Sequence, residues 1–502
     1  MEYRQQAPTA SAAVKPRLII HGGAGNITPA TLLPEAYSQY REALLTVVSK
    51  TDTYMRTPHH AKATSNQTFP TALETATFAV TLLEDNALFN SGHGAVFTRD
   101  GINELEASVM VTRGLAKRGV GVMGLRRVRN PILLARAILE RGDDDLRPPP
   151  LPQSMHPAQT AKQGIQQEAR RDTDAARGVD VPSAQGHTLL HGETAETLAH
   201  MYGLAMVEPD YFFTQKRWDE HVRGMERDRR GGGGGGGVAA TWSRDEYLPQ
   251  GTCGAVALDA DGVICCATST GGLTNKLTGR IGDTPMLGAG FWAEEWTEPG
   301  DPTITATGRR RSARDQLQQY QALTRPGPAV VLSQALGGLI ADCLPTPFLY
   351  SPVSPRSHLT TTRSVAVSGT GNGDSFLRTA AVRTVGSIAR FAGLPSADAL
   401  TQVTGPSGEL QRSAGNRWGR TGEGEGGMIG IESVIVRDAE GTVVETRSNI
   451  LQDYNCGGMF RAWIDDDGSA FARVWRQDYG VDSNAKSGKP DDPRCWVSGK
   501  TT

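Results

Sequence analysis

The sequence predicts an α+β fold in which sheets are covered by helices, and three observations support this prediction. Short apolar runs bounded by glycine indicate buried strands, the first of them at residues 17–21. Residues 71–85 instead carry apolar side chains at helical spacing. Later in the chain, paired apolar runs flank turns rich in Asp and Gly, a pattern typical of hairpins. Together these patterns indicate mixed layers of helix and sheet.

The early elements follow from local pattern. The run at 17–21 is predicted as a strand that enters a tight Gly-Gly-Ala-Gly loop at 22–25. The helix over 71–85 places Leu73, Ala76, Val80 and Leu83 on one side. A further helix is predicted from residue 130 to 141. Proline is common in the first turn of a helix, because the N–H that it lacks would have no partner within the helix at that position.

The second half of the chain is dominated by predicted strands. Residues 254–258 and 263–268 flank an Asp-Ala-Asp-Gly turn and are predicted to form a hairpin. A second hairpin is predicted between 427–436 and 442–444. Between the two hairpins, residues 374–393 are predicted to be helical.

The domain organisation is predicted from shifts in composition. Seven consecutive glycines at 231–237 predict a flexible tether, since glycine loses more backbone entropy on ordering than any other residue. One helix is predicted near 329–343, inside a stretch rich in Pro, Ser and Thr. The predicted portions are a disordered amino terminus at 1–16, a first portion at 17–222 with an insert at about 142–185, a flexible linker at 223–251, and a second portion at 252–502 with an insert at about 298–363.

Composition narrows the classes of partner. The chain has 502 residues, a formal net charge of −2 and 21% charged residues, so no strong field would attract nucleic acid or an anionic membrane. No apolar window approaches the roughly 18 residues of a membrane span, and no signal peptide is recognised. We therefore expect a cytoplasmic protein that acts on a small molecule or peptide. The six cysteines show no metal-like spacing and are expected to be reduced thiols.

One set of motifs carries a family resemblance. The segments that match, in family order, are HGGAG at 21–25, FNSGHGA at 89–95, GTCGAVALD at 251–259, ATSTGG at 267–272, GRIGD at 279–283, GTGNGD at 369–374 and NCGGMFR at 455–461. They resemble the plant-type L-asparaginase or isoaspartyl peptidase family of amino-terminal-nucleophile (Ntn) hydrolases. This resemblance covers roughly two thirds of the chain.

The resemblance implies a fold and a maturation step. It implies a four-layer αββα sandwich whose precursor cuts itself between Gly251 and Thr252 into α and β subunits that stay associated. It also implies an (αβ)2 homodimer of cleaved protomers. The expected activity is hydrolysis of L-asparagine to L-aspartate and ammonia, removal of isoaspartyl residues from β-aspartyl peptides, or both.

Thr252 is the expected nucleophile. A freed α-amino group has an unperturbed pKa of about 7.7–8.0, so it can accept the proton of its own hydroxyl near neutral pH. One residue would then supply both nucleophile and base. The alternative is an ordinary threonine at the start of a strand.

The resemblance assigns further side chains around Thr252. Thr270 is expected to hydrogen-bond the nucleophile's hydroxyl, and Asn90 to lie near it. Arg280 and Asp283 are expected to bind the α-carboxylate and α-ammonium of an amino-acid-like substrate, which suits their charges. A turn threonine at 270 and a solvent-exposed ion pair at 280 and 283 are the alternatives.

The GTGNGD loop is expected to hold the oxyanion. The resemblance gives this role to the Thr370 hydroxyl and the backbone N–H of Gly371, and Gly371 and Gly373 would also permit close approach of the substrate. An ordinary glycine-rich turn or a phosphate-binding loop would show a similar sequence.

A structural sodium ion is the only cofactor that the resemblance implies, and none is expected for catalysis. Hard cations prefer oxygen ligands. The expected ligands are the backbone carbonyls of Leu83, Glu84, Asn86, Phe89, Ser91 and His93.

Three other functions remain open from the sequence. A glycosylasparaginase is disfavoured because GTCGAV departs from its pattern, and a taspase-like threonine protease is disfavoured because Asp283 suits a free ammonium. An uncleaved pseudoenzyme that acts through its inserted segments is the third alternative.

Overall fold

The computed structural model describes residues 13–58, 68–114, 116–146, 183–230, 242–244, 246, 251–300 and 359–476. These residues divide into two compact units. The smaller unit contains residues 13–14, 296–300, 359–363 and 434–447, which are stretches of four strands and the residues next to them. The larger unit contains all other described residues, including every described residue of the candidate site below.

Eight strands of the larger unit form one sheet. They are β1 (Arg17–Gly25), β2 (Leu105–Val111), β3 (Gly119–Leu125), β4 (Leu189–His191), β5 (Cys253–Leu258), β6 (Ile264–Thr270), β11 (Gly458–Ile464) and β12 (Ala470–Arg473). Their order across the sheet is β12–β11–β1–β5–β6–β2–β3–β4. All neighbours are antiparallel except β3 and β4. The segment that contains Thr252 therefore enters the middle of this sheet.

Four more strands form a second sheet. They are β7 (Phe291–Pro299), β8 (Thr360–Gly371), β9 (Gly426–Arg437) and β10 (Val443–Tyr454), in the order β10–β9–β8–β7. Within the larger unit the two sheets contact each other through side chains. His21 on β1 hydrogen-bonds Ser368 on β8, and the Ala293 N–H on β7 donates to the Met110 sulfur on β2.

Helices α1 (Pro34–Arg56), α2 (Ala72–Glu84) and α3 (Pro131–Asp145) pack on the eight-stranded sheet. Helix α2 begins with a capping box, in which the Thr71 hydroxyl accepts from the Glu74 N–H and the Glu74 carboxylate accepts from the Thr71 N–H. Its apolar side chains join the main core against β5 and β6. This packing fixes the strand that follows Thr252.

The remaining described helices are α4 (Gly192–Met201), α5 (Gln215–Arg230), α6 (Gly373–Thr379), α7 (Ala381–Phe391), α8 (Ser396–Thr404) and α9 (Glu409–Ser413). Helix α7 lies against β7, where Arg383 donates to the buried Glu294 carboxylate at 2.9 Å. No described helix is long and apolar enough to span a membrane.

The mixed helix and sheet content and both hairpins are confirmed, with five corrections. The loop predicted at 22–25 is instead part of β1, which pairs with β11 as far as Gly25. The second strand of the later hairpin, β10, continues to Tyr454 rather than ending at residue 444. The predicted helix over 374–393 is broken into α6 and α7, because Ala380 adopts a left-handed conformation with φ of 44°. Helix α3 continues to Asp145 rather than ending at residue 141. The predicted linker starts too early, since α5 continues to Arg230 and buries one side of its first three turns.

Several predictions lie outside the described residues. These are the glycine run at 231–237, the helix near 329–343, and most of both inserts. The insert predicted at about 298–363 is nevertheless too wide at both ends, because Pro299 ends β7 and Thr360 begins β8.

Candidate active site

Thr252 lies immediately before β5 and is almost completely buried. Its hydroxyl oxygen is 2.8 Å from the hydroxyl oxygen of Thr284. The antiparallel register pairs Cys253 with Ser269, so Thr252 and Thr270 follow at the same end of their two strands. The predicted nucleophile thus occupies a fixed place in the middle of the sheet rather than a surface position.

Gly251 packs tightly against β1. A Cβ atom at this position would overlap the Cα of Gly23 and would lie 2.6 Å from the Ala24 nitrogen. Gly251 has no positive φ, whereas Gly23 has φ of 120°. Glycine at 251 is therefore required by close approach of two chain segments, not by an unusual backbone angle.

Asn90 holds the turn that follows Thr270. Its side-chain amide donates to the Gly272 carbonyl at 2.7 Å, and its backbone carbonyl accepts from the Gly271 N–H at 3.0 Å. The Thr270 hydroxyl accepts from the Gly272 N–H at 2.9 Å. Among the described residues the hydroxyl partner of Thr252 is consequently Thr284, and the tuning role expected of Thr270 stays a proposal.

Arg280 and Asp283 lie together beside Gly373. A Cβ atom at position 373 would lie 2.5 Å from Asp283 Oδ1 and 3.1 Å from Arg280 Nη2. Arg280 Nη2 also forms an ion pair with Asp374 Oδ2 at 3.0 Å. The two charged residues thus meet the glycine-rich loop.

Asp283 is a buried carboxylic group with spare hydrogen-bonding capacity. Within the described part of the chain its Oδ2 atom is buried and has no hydrogen-bond partner. Burial raises the pKa of Asp283 to about 7, although the Arg280 guanidinium acts to lower it. Such a group would gain from an added cation, because an unpaired buried carboxylate is costly.

The loop that carries Arg280 and Asp283 rests on buried charges. The Glu106 carboxylate accepts from the Gly282 N–H at 3.0 Å, and the Glu104 carboxylate accepts from the Gly279 N–H at 2.7 Å. Lys276 donates to the Glu104 carbonyl and lies 3.9 Å from Glu106. Burial lowers the pKa of Lys276, and Glu106 opposes that effect. These contacts fix the loop on β2.

Thr370 and Gly371 end β8 close to the glycines of β1. The Thr370 hydroxyl accepts from the Ala24 N–H at 3.2 Å, and Gly251 packs against that same nitrogen. Gly371 has φ of 143°, and a Cβ atom there would collide with the Glu425 carbonyl. The predicted oxyanion element and the predicted scissile residue therefore share one neighbour, Ala24.

His21 joins β1, β5 and β8 behind Thr252. Its Nε2 atom is 2.6 Å from the Ser368 hydroxyl, and the register pairs His21 with Gly254. Burial lowers the pKa of His21 to about 3, and the backbone of Thr252 partly offsets this shift. His21 is consequently neutral at physiological pH, and its side chain links β1 to β8 through the bond to Ser368.

The predicted sodium loop is tightly curved. Cβ atoms at Gly92 and Gly94 would collide with the carbonyl oxygens of Glu84 and Phe89, two of the expected ligands. Backbone N–H groups bond the carbonyls of Leu83, Asn86 and Ser91, each of which keeps a second lone pair. The side chain of His93 binds the Tyr211 carbonyl instead of facing a metal cluster. Sodium binding at these carbonyls stays a proposal.

Cysteine, histidine and acidic side chains form no metal-binding cluster in the described ranges. No group of three or more His, Cys, Asp or Glu side chains there could hold a metal ion. Cys253, Cys265, Cys266 and Cys456 are free thiols. Burial raises the pKa of Cys253, which follows the nucleophile, to about 12, so it is a neutral thiol.

Several site contacts were not predicted from the sequence. They involve Thr284 at the Thr252 hydroxyl, Glu106 and Lys276 under the substrate loop, Asp374 on Arg280, and Ser368 on His21. A signal for Thr284 was available, because it directly follows the GRIGD segment.

The chain is similar in sequence to several known proteins. The sequence model of the asparaginase family matches residues 14–146 and 174–309. The isoaspartyl peptidase of Salmonella typhimurium is 29% identical over 451 residues, covering 89% of this chain and 94% of that protein. The isoaspartyl peptidase of Escherichia coli is 28% identical over 446 residues, covering 89% and 92%. The plant-type L-asparaginase of Pyrococcus furiosus is 30% identical over 278 residues, covering 55% and 70%. The chain therefore belongs to the asparaginase family of amidohydrolases.

Proposed function

We propose that the chain cuts itself between Gly251 and Thr252 and then uses Thr252 to hydrolyse L-asparagine, β-aspartyl peptides, or both. One observation carries this proposal. Asp283 is a buried carboxylate with an unpaired oxygen beside Arg280, and the next residue, Thr284, touches the Thr252 hydroxyl. One short loop thus carries a candidate site for a cation and one for an anion, and it contacts the candidate nucleophile. The names of the relatives agree with this substrate class.

The self-cut needs a nucleophile on the residue that directly follows the attacked carbonyl. Thr252 Oγ1 would attack the Gly251 carbonyl carbon, the C–N bond would break, and the acyl group would move from nitrogen to oxygen. Water would then hydrolyse the ester and leave a free amine on Thr252. The tight packing of Gly251 on Gly23 and Ala24 holds that carbonyl in place, which favours an intramolecular reaction.

Hydrolysis of a substrate would follow the same chemistry. The Thr252 amine accepts the hydroxyl proton, and Oγ1 attacks the side-chain amide carbonyl of the substrate. The Thr370 hydroxyl and Gly371 N–H would stabilise the negative oxygen. The amide nitrogen leaves with the proton, as ammonia or as an amino acid, and water hydrolyses the acyl-enzyme to release L-aspartate.

Recognition would depend on the two charges of a free amino acid. The α-carboxylate would bind the Arg280 guanidinium, which pairs with Asp374 in the structure. The α-ammonium would pair with the buried Asp283. An internal peptide bond offers no such ammonium, so this site disfavours a taspase-like protease.

The proposal includes four expectations about the whole protein. They are a four-layer αββα fold, an (αβ)2 assembly of cleaved protomers, a cytoplasmic location, and a structural sodium ion held by the carbonyls of the 83–93 loop. The two sheets in contact, with α1 to α3 on one and α7 on the other, support the layered fold.

Activity assays on cleaved protein test the proposed function. We expect ammonia from L-asparagine, aspartate from an isoaspartyl dipeptide, or both, and no cleavage of a peptide whose aspartate is internal with a blocked amine. Comparing the two kcat/KM values ranks the substrates. Cleaved protein that releases neither product, or that cuts the blocked peptide, would contradict the proposal.

Gly373→Ala is expected to weaken substrate binding. Its methyl group would lie 2.5 Å from Asp283 Oδ1 and would push that carboxylate from its place. A displacement of about 1 Å can cost about 100-fold in activity. We expect KM to rise at least about tenfold with little change in melting temperature.

Gly441→Ala is the matched control, since Gly441 has φ of 83° and open space around it. This change should lower the melting temperature and leave KM unchanged. A Gly373→Ala enzyme with a wild-type KM would show that position 373 does not set the substrate site.

Asp283 should make stability depend on pH. Its folded-state pKa of about 7 is above its unfolded value, so its stabilising contribution is complete below about pH 4 and is lost as pH rises through 7. Single-chain Thr252→Ala protein should be compared with the same protein carrying Asp283→Asn. The Asn variant should gain relative stability on the order of a few kcal/mol between pH 4 and pH 7.5, measured by urea unfolding. A difference that does not vary with pH would contradict the buried, partnerless state of Asp283.

A further inference from the structure

Thr284 is a buried threonine that no motif of the family resemblance assigned. It follows Asp283 and is 1% exposed. Its hydroxyl oxygen is 2.8 Å from that of Thr252, and this contact is the only hydrogen bond of either hydroxyl among the described residues. Thr284 therefore touches the atom that would attack the substrate.

Two hydroxyl groups contact the backbone carbonyl of Thr284. Ser108 Oγ on β2 donates to the Thr284 carbonyl at 2.6 Å, and Thr268 Oγ1 on β6 lies 3.4 Å from the same oxygen. On the preceding residue, the Asp283 carbonyl accepts from the N–H groups of Met286 and Gly290. The threonine is thus fixed on both sides and has little freedom to turn away from Thr252.

The protons of the two hydroxyls indicate the direction of the bond. Thr252 and Thr284 carry one hydroxyl proton each, and the bond between them uses one. If Thr284 donates, the Thr252 proton needs another acceptor. A freed amino group on Thr252 supplies that acceptor, whereas a peptide nitrogen at the same position has no available lone pair. The donating direction therefore matches a Thr252 whose own amine is the base.

We propose that the Thr284 hydroxyl donates a hydrogen bond to Thr252 Oγ1 and stabilises the charge that develops there as the nucleophile loses its proton. This inference rests on the proposed function. In the step, the Oγ1–H bond breaks, the proton moves to the Thr252 amine, and the Oγ1–C bond forms with the substrate carbonyl. Thr284 keeps its own proton throughout.

Thr284 also connects substrate recognition to the nucleophile. Asp283, which would bind the ammonium, and Thr284 are consecutive residues. The Thr284 hydroxyl bonds the nucleophile and not a group that would bind the substrate. The effect of losing that hydroxyl should consequently appear in kcat more than in KM.

Thr284→Val removes the hydroxyl while keeping the side-chain shape. We expect its kcat to fall about 10- to 100-fold, the range for a lost hydrogen bond to a charged group, with KM within about twofold. Thr284→Ser keeps the hydroxyl and should recover most of the activity. Thr284→Ala repeats the test if the valine variant does not fold.

Thr75→Val is the matched control, because Thr75 is fully buried on α2 and its hydroxyl has no partner among the described residues. This variant should cut itself and hydrolyse substrate at wild-type rates. Active wild type together with a Thr284→Val or Thr284→Ala enzyme of wild-type kcat would overturn the inference. Wild type that neither cuts itself nor hydrolyses either substrate would instead overturn the proposed function.

Discussion

Thr252→Ala is expected to remain a single chain and to lose hydrolysis by about 10⁴-fold or more. The change removes the oxygen that attacks both the Gly251 carbonyl and the substrate, and loss of a covalent nucleophile has effects of this size. Without the cut, residue 252 also keeps its nitrogen in a peptide bond, so the base is lost together with the nucleophile. Intact mass and a coupled ammonia assay measure the two effects.

Thr252→Ser is the informative companion variant, since it keeps the hydroxyl and loses only a methyl group. We expect it to be cut, more slowly than wild type, and to hydrolyse substrate. If Thr252→Ala protein were cut at Gly251 or hydrolysed L-asparagine at the wild-type rate, the attacking group would have to be another residue.

Arg280→Ala is expected to separate self-cutting from hydrolysis. The guanidinium would bind a substrate α-carboxylate, and the self-cut involves no such group. Loss of one partner of a buried charge pair costs about 2–5 kcal/mol, or about 30- to 4,000-fold in kcat/KM. We therefore expect a protein that is cut normally and has kcat/KM reduced within this range, measured with L-asparagine and with an isoaspartyl dipeptide.

Two variants control for this result. Arg412→Ala removes the same charge from an exposed ion pair with Glu409, so it should change kcat/KM very little. Arg280→Lys keeps the charge and loses the planar fork, so its activity should lie between those of wild type and Arg280→Ala. Normal kcat/KM in Arg280→Ala would contradict the assignment of the carboxylate site.

Local patterns predicted the framework around Thr252 well. Alternating apolar runs and Asp/Gly turns are contained within a few residues, so β5, β6 and β9 were placed to within two residues. β10 is the exception, because it continues ten residues beyond its predicted end at 444. The capping residues Thr71 and Glu74 likewise mark the start of α2. Where the determinants of structure are neighbours in sequence, the sequence could be interpreted directly.

The errors in the fold arose where tertiary packing overrode local signals. Helix α5 continues to Arg230 because buried Arg217, Glu220 and Gly224 anchor its earlier turns, although charge and nearby glycines predicted a linker from 223. The break at Ala380 depends on a left-handed alanine, which sequence propensity does not favour. Neither feature has a local signature.

The site was predictable only where the family motif supplied residues. Gly373 lies beside Arg280 and Asp283, and the motif supplied all three residues. The bond from Thr252 to Thr284 joins residues 32 positions apart, and the bond from Gly282 to Glu106 joins residues 176 positions apart. Such contacts depend on how β2, β5 and the loop after β6 come together, which a single sequence does not specify.

Intact-mass and amino-terminal analysis of purified wild-type protein tests the central claim most directly. A cut at Gly251 divides the 502 residues into two chains of 251 residues each, so a gel would show them as bands of similar size and mass is the better measurement. We predict two masses that sum to the 53.6 kDa chain plus one water, and a new amino terminus that reads Thr-Cys-Gly-Ala. A single uncut chain that hydrolyses L-asparagine or an isoaspartyl dipeptide would contradict the account, because Thr252 would then act without its freed amine or would not act at all.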